Sequence, residues 1–143
     1  MRSRIPRQQI DLLRAVPLFS GCSQSELRSV AQLGTPVSLE AGRMLTEHGE
    51  PGREFFLVLE GRATCTIGRR QVGTISPGGY FGELALLHGG LRTANVKSDT
   101  PMECLVLDAR EFRSMLMTTP SIGVKMLAHL AERVAAADAR YTD

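Results

Sequence analysis

The stretch Glu54-Phe55-Phe56-Leu57-Val58-Leu59-Glu60-Gly61-Arg62-Ala63-Thr64-Cys65-Thr66-Ile67-Gly68-Arg69-Arg70-Gln71-Val72-Gly73-Thr74-Ile75 decides the fold of this chain. It falls into short apolar or alternating runs, Glu54 to Glu60, Ala63 to Ile67 and Gln71 to Ile75, separated by glycine. Runs of this length at this spacing are strands of an antiparallel sandwich or barrel, because glycine supplies the backbone freedom that tight turns require. The rhythm continues on both sides. Gly42, Gly49 and Pro51-Gly52 punctuate strands predicted at Val37 to Leu39 and Met44 to Glu47, and Pro77-Gly78-Gly79 leads towards strands at Ala94 to Ser98 and Met102 to Leu107. Seven or eight strands, interrupted once by a short helix after Gly82, suit a jelly roll.

Outside these strands the texture is helical. Ile10, Leu13 and Val16 mark a first helix that Pro17 stops, and Leu18-Phe19-Ser20-Gly21 is a turn. Ser23-Gln24-Ser25-Glu26 matches a capping box for a second helix carrying Leu27, Val30 and Ala31, which ends at Gly34 and Pro36. After the strands, Asp108-Ala109-Arg110-Glu111 offers another cap ahead of Phe112, Met115 and Leu116, and that helix ends near Thr118. Thr119-Pro120 then opens a final helix of about twenty residues with Val124, Leu127, Leu130, Ala131 and Val134 as its apolar stripe. The expected architecture is mainly β with flanking helices: one domain over residues 1–143, with an N-terminal helical pair (1–35), an antiparallel β-roll or double-stranded jelly roll (36–107), a short helix inside it, and C-terminal helices (108–143). Core packing is the default use of the last stripe. A ligand lid and a homodimer seam are the alternatives, since a helix that changes its packing is the two-state element of a sensor.

A chain of 143 residues can bury a core without disulfide or metal staples. Its longest apolar run, Phe55 to Leu59, is far shorter than the ~20 residues of a membrane span. The basic start Met1-Arg2-Ser3-Arg4-Ile5-Pro6-Arg7 leads into an amphipathic segment rather than an export signal, so a cytoplasmic location without membrane contact is expected. Seventeen basic and fifteen acidic residues are too balanced to make nucleic acid an expected partner of this chain. Cys22, Cys65 and Cys104 are scattered, without CxxC spacing, which argues against a disulfide framework or a zinc site.

The stretch Phe81-Gly82-Glu83-Leu84-Ala85-Leu86-Leu87-His88-Gly89-Gly90-Leu91-Arg92-Thr93-Ala94-Asn95-Val96 carries the chemistry. Gly82 opens a short helix whose first amides lack helical partners, and such amides with the positive end of the helix dipole attract phosphate. Arg92 returns after Gly89-Gly90 to add a planar donor fork. Glu83 beside an anion site helps only a ligand that also brings a donor, and a sugar hydroxyl is one. Either residue alone is ordinary, a glutamate complementing a helix dipole or a solvated surface arginine. Nine positions apart in this setting, they read as a clamp for a sugar phosphate.

Phe-Gly-Glu-Leu-Ala-Leu followed by a short turn and Arg-Thr-Ala resembles the phosphate-binding cassette of cyclic nucleotide-binding domains, the sensor modules of catabolite activators, protein kinase A regulatory subunits and cyclic nucleotide-gated channels. The likeness extends to Gly49-Glu50-Pro51-Gly52, the Phe55 to Gly61 strand and turn, and Ser76-Pro77-Gly78-Gly79-Tyr80-Phe81-Gly82. It implies that residues of the cassette, Phe81, Gly82, Glu83, Leu84, Ala85, Arg92, Thr93 and Ala94, bind the ligand. Glu83 would accept from the ribose 2'-hydroxyl with the Gly82 carbonyl beside it, and Arg92 and the amides near Ala85 and Ala94 would hold the cyclic phosphate. Thr93 has counterparts that read a guanine edge, but many cyclic AMP binders also carry Ser or Thr there. Cyclic AMP is therefore the expected ligand and cyclic GMP the alternative. By the same resemblance Cys65 and Val72 would wall the base, and the last helix would close over it through Leu130, Val134 or Tyr141.

Arg53 and Gly79 stand where the family often has Asp, in turns outside the proposed contacts, and Asn95 is a poor strand former for its place. His48, His88 and His129 lack metal-ligand spacing and are expected in solvated positions, which sets the chain apart from cupin enzymes, jelly rolls that need a histidine cluster. Glu47, Glu50, Glu54 and Glu60 fall mostly at strand ends or in a turn, where solvation explains them. No nucleophile pairing emerges, so a non-enzyme without catalytic residues, metal or cofactor is expected. The alternatives to a free-standing receptor are the sensor of a channel or of a transcription regulator, whose helix-turn-helix would have to follow Tyr141-Thr142-Asp143, and an interaction domain that has lost its ligand.

Overall fold

The computed structural model describes the backbone of residues 7–141 and the side chains of residues 10–137. In chain order the elements are α1 (Arg7–Arg14), a 3-10 turn (Pro17–Phe19), α2 (Gln24–Leu33), β1 (Thr35–Leu39), β2 (Met44–Thr46), β3 (Glu54–Glu60), β4 (Ala63–Ile67), β5 (Arg70–Ile75), β6 (Tyr80–Phe81), α3 (Glu83–His88), β7 (Asn95–Ser98), β8 (Met102–Asp108), α4 (Ala109–Thr118) and α5 (Pro120–Tyr141). The strands form two four-stranded sheets, β1-β8-β3-β6 and β2-β7-β4-β5, in which every pairing is antiparallel. This is the β-roll with helices at both ends that the sequence predicts.

The unbroken apolar run of β3 has a direct cause. Side chains alternate across a strand, and both faces of this one are covered. Phe55, Leu57 and Leu59 join Leu13, Phe19, Leu27, Phe112, Met115, Ile122 and Met126 in a core between the first sheet and the helices. Phe56 and Val58 join Leu39, Ala63, Phe81, Val96 and Met102 inside the roll. The partner strand β8 divides in the same way, with Leu105 and Leu107 towards the helices and Cys104 and Val106 towards the roll. Strands β4 and β5 lack this second cover, and their sequences are correspondingly more polar.

Both expected capping boxes form. Ser23 Oγ accepts from the Glu26 amide and the Glu26 carboxylate from the Ser23 amide, and Asp108 and Glu111 repeat the exchange at α4. Two features depart from the sequence reading. Tyr80–Phe81 is a two-residue strand, set by pairing Phe81 with Phe56 and by stacking their rings at 4.7 Å. The last stripe is not core: Ile122 and Met126 are the buried apolar residues of α5, whereas Val124, Leu127 and Val134 are exposed. Core default therefore fails for that stripe: the buried residues of α5 lie near its start, and the helix packs against α4 and the 3-10 turn.

Candidate ligand-binding site

The cassette is held at both ends. At its start, β6 pairs with the edge of β3 and delivers Gly82 in a left-handed conformation, φ +96°, as the N-cap of α3. At its end, the residues around Arg92 are zipped onto the β2–β3 loop: the Arg92 amide donates to Glu50 O at 2.7 Å, the Gly49 amide to Arg92 O at 3.0 Å, and Thr46 Oγ1 to Ala94 O at 3.1 Å. Asn95, unexplained as a strand residue, accepts from the His48 amide through Oδ1 at 2.8 Å and so pins the same loop.

This framing buries the Arg92 guanidinium. Nη2 donates to Glu54 O at 2.7 Å and Nη1 to Gly82 O at 3.2 Å. Among the described residues no carboxylate forms an ion pair with it. Two glycines make the space. A Cβ on Gly52 would lie 2.2 Å from Ala85 Cβ and 3.1 Å from Arg92 Cδ, and one on Gly82 would lie 2.7 Å from Arg92 Nη1. Burial lowers the pKa of Arg92, only partly offset by the more distant Glu54 and Glu83 charges. A buried cation satisfied only by carbonyl oxygens is a position that favours an anion.

Glu83 lies next along the chain from Gly82, and its side chain is only 7% exposed. Burial pushes its carboxyl above the ordinary range. A bond from its own amide, the charge of Arg133, and His129 and Arg92 pull the other way. Arg133 Nη1 reaches Glu83 Oε1 at 3.6 Å from α5. One turn earlier on the same helix, His129 Nδ1 lies 2.9 Å from Tyr80 Oη, the residue that precedes Phe81. Burial and the Glu83 charge push the Tyr80 phenol up to about 12, so it keeps its proton at neutral pH.

The other predicted site residues divide. Phe81 and Ala85 are buried and Leu84 is half-buried, while the Ala85 carbonyl accepts from the Gly90 amide at 3.1 Å and closes the turn after α3. Thr93 is exposed. Cys65 is half-buried within electrostatic reach of both Arg133 and Glu83, and burial pushes its thiol up. Leu130 is half-buried, but Val72 and Val134 are exposed, at 48% and 61%, so neither is packed away as a wall or lid in this structure. The Tyr141 side chain lies outside the described residues.

His129 and Arg133, which do reach the cassette, were expected in solvent or not singled out. The signal for them was the spacing Lys125, His129, Arg133, three basic residues four apart on one helical face. Lys125 also bonds, to Ser20 Oγ beside the 3-10 turn.

A cleft of about 260 Å³ opens on another side of Arg92, lined by Glu47, Glu50, Arg53 and Glu54 among others. Its three carboxylates oppose an anion, and neither Glu83 nor Cys65 lines it. Among the described residues no group of His, Cys, Asp and Glu gathers as a metal site, and no helix is long and apolar enough to cross a membrane.

The roll, the cassette and the bracketing helices define a nucleotide-sensor class of domain. Residues 36–119 match the cyclic nucleotide-binding domain, and the chain belongs to that family. It is 31% identical over 122 residues, 85% of its length, to a cyclic nucleotide-gated potassium channel of Rhizobium etli, of which it spans about a third (34%). Among solved structures, cAMP-bound PfPKA-R superimposes with a TM-score of 0.83 at 26% identity, over 95% of this chain and 47% of that one. The Thermus thermophilus catabolite activator protein does so with a TM-score of 0.81 at 25% identity, over 87% of this chain and 61% of that one.

Proposed function

We propose that this cyclic nucleotide-binding domain is a cyclic AMP receptor, a binding module rather than an enzyme, that signals through α5. The observation that carries the reading is the buried Arg92 guanidinium, held by two carbonyl oxygens and without an ion-pair partner among the described residues, beside the buried Glu83. A cyclic phosphate at Arg92 supplies the missing anion. The ring closure leaves the 2'-hydroxyl free, and Glu83 accepts from it. Cys65 forms part of the wall for the base. The match to cAMP-bound PfPKA-R supports adenine over guanine, with cyclic GMP as the competing ligand.

The likeness to the Rhizobium etli channel favours a second feature, that the domain is the cytoplasmic sensor of a larger assembly. The exposed Val124, Leu127 and Val134 on α5 are then the surface through which a second copy or another domain reads its state.

Thermal melts with cyclic AMP, cyclic GMP and linear 5'-AMP test the reading. At a hundredfold excess over Kd, a ligand adds ~2.7 kcal/mol, which raises the midpoint by several degrees in a chain of this size. A shift with cyclic AMP that exceeds the other two is expected. No shift with either cyclic nucleotide overturns the receptor.

A further inference from the structure

We propose that Asn95 and Thr46 are positioning residues for Arg92: their side chains clasp the β2–β3 loop to the segment that follows Arg92, and the clasp sets the affinity of the anion site. The proposal rests on the reading of Arg92 as the phosphate partner, and it adds two residues that act on the ligand only through that arginine.

The order of contacts shows why side chains are needed here. β2 and β7 pair at Met44 with Lys97 and at Thr46 with Val96, and the register shifts between these two pairs. Beyond Thr46, main-chain bonds between the two segments return at Gly49, whose amide donates to Arg92 O at 3.0 Å, and at Glu50, whose carbonyl accepts from the Arg92 amide at 2.7 Å. Two side chains bridge the interval, one from each segment. Thr46 Oγ1 donates to Ala94 O at 3.1 Å, and Asn95 Oδ1 accepts from the His48 amide at 2.8 Å. A shift of register leaves main-chain groups without a ladder partner, and a short hydroxyl or amide side chain can stand in for one. That accounts for an asparagine at a strand position its propensity disfavours.

Arg92 depends on this support at its root. The tip of its side chain is fixed by the carbonyls of Glu54 and Gly82, which belong to β3 and to the turn after β6, whereas its main chain is held by Gly49 and Glu50 of the loop. A planar fork delivers parallel bonds to a phosphate only when root and tip are both in place, so a small displacement of the loop costs more affinity than the bond that allowed it. Thr46 is buried and Asn95 half-buried, so water is a poor replacement for either partner.

Asn95→Ala and Thr46→Val each remove one bond of the clasp, the second with little change of shape. By calorimetry each should bind cyclic AMP about fivefold more weakly than the wild type, and Thr46→Ser, which keeps the hydroxyl, should stay within about twofold of it. In an Arg92→Lys background the same two changes should cost less than about twofold, because lysine presents no fork to misalign. Equal losses in both backgrounds overturn the positioning role and leave a structural one, and unchanged affinity in both single variants overturns the clasp. The Arg92 Nε–Hε resonance, followed by NMR without nucleotide, is a readout that binding does not enter. It should shift in Asn95→Ala and in Thr46→Val and stay in place in Thr46→Ser. If the wild type binds no cyclic nucleotide, the receptor reading fails by itself and this resonance decides the clasp: a shift keeps Asn95 and Thr46 as positioning residues of Arg92, and an unmoved signal overturns them.

Discussion

The two sides of the site are built in opposite ways. On the cassette side, the charged groups are buried and Arg92 is held by backbone: its guanidinium by the carbonyls of Gly82 and Glu54, its main chain by Glu50 and Gly49, and its stem by the room that Gly52 leaves. On the α5 side, contact is made by the tips of exposed side chains, His129 and Arg133, on a helix whose buried anchors, Ile122 and Met126, lie near its start. The first arrangement costs too much to rearrange and serves as a template. The second is held by contacts worth little individually and can move. A sensor needs both, a rigid place to read the ligand and a loosely held element to report it.

The largest effects are expected where the template is broken. Arg92→Ala should weaken cyclic AMP binding by a factor of a hundred or more, since each charge-assisted bond to phosphate contributes ~1.5 to 3 kcal/mol. It should also cost the ligand-free protein ~1 to 3 kcal/mol, because two buried carbonyls lose their donor, and denaturant unfolding would register that loss. Arg92→Lys keeps the charge but not the fork, and its affinity should fall between alanine and wild type. Gly52→Ala is the backbone counterpart. Its Cβ would sit 2.2 Å from Ala85 Cβ, so α3 must shift, and calorimetry should show at least a tenfold loss of affinity without any change in a proposed contact residue. A Gly52→Ala protein that binds normally would mean the cassette is more pliant than its packing implies.

The difference between the two sides also decided what the sequence revealed. The cassette was legible because its geometry requires particular residues at fixed separations: glycine at φ +96° before Glu83, and arginine after Gly89-Gly90. The roll was legible for a similar reason, since the doubly covered β3 reads as an unbroken apolar run between turn signals. The α5 contacts were not. An apolar stripe on a helix is ordinarily core, and reading Val124, Leu127 and Val134 that way drew attention from the basic face that reaches the site. Long polar side chains carry no signature of their partner, because any carboxylate within reach will serve. Asn95 was opaque for the same reason: its acceptor role depends on His48, a residue from another strand's loop.

Glu83 stands between the two sides, and its prediction has two signs. Its carboxyl is raised by burial, so the folded protein binds a proton that the unfolded chain releases, and stability falls as pH rises from the ordinary carboxylate range through the folded value. Glu83→Gln should therefore raise the midpoint of the ligand-free protein at pH 7, and that advantage should vanish in acid below the ordinary carboxylate pKa. The same substitution should weaken cyclic AMP about tenfold, and a 2'-deoxy ligand much less. Equal losses for both ligands would remove Glu83 from the ribose.

The smallest effects should come from the exposed face of α5, and here the contrast lies within one helix. Ile122 is fully buried against the helical core, and Ile122→Ala should cost ~2 to 5 kcal/mol in denaturant unfolding. Leu127, 66% exposed, should cost less than about 0.5 kcal/mol when changed to alanine in the monomer, because its side chain already meets solvent. Measured against protein concentration, the second number becomes informative. A Leu127→Ala penalty that grows with concentration, in step with loss of a dimer by sedimentation, would show that the stripe is covered by a second copy in solution. A penalty that stays small at every concentration leaves that face of α5 uncovered in solution, with His129 and Arg133 as the side chains through which the helix meets Tyr80 and Glu83.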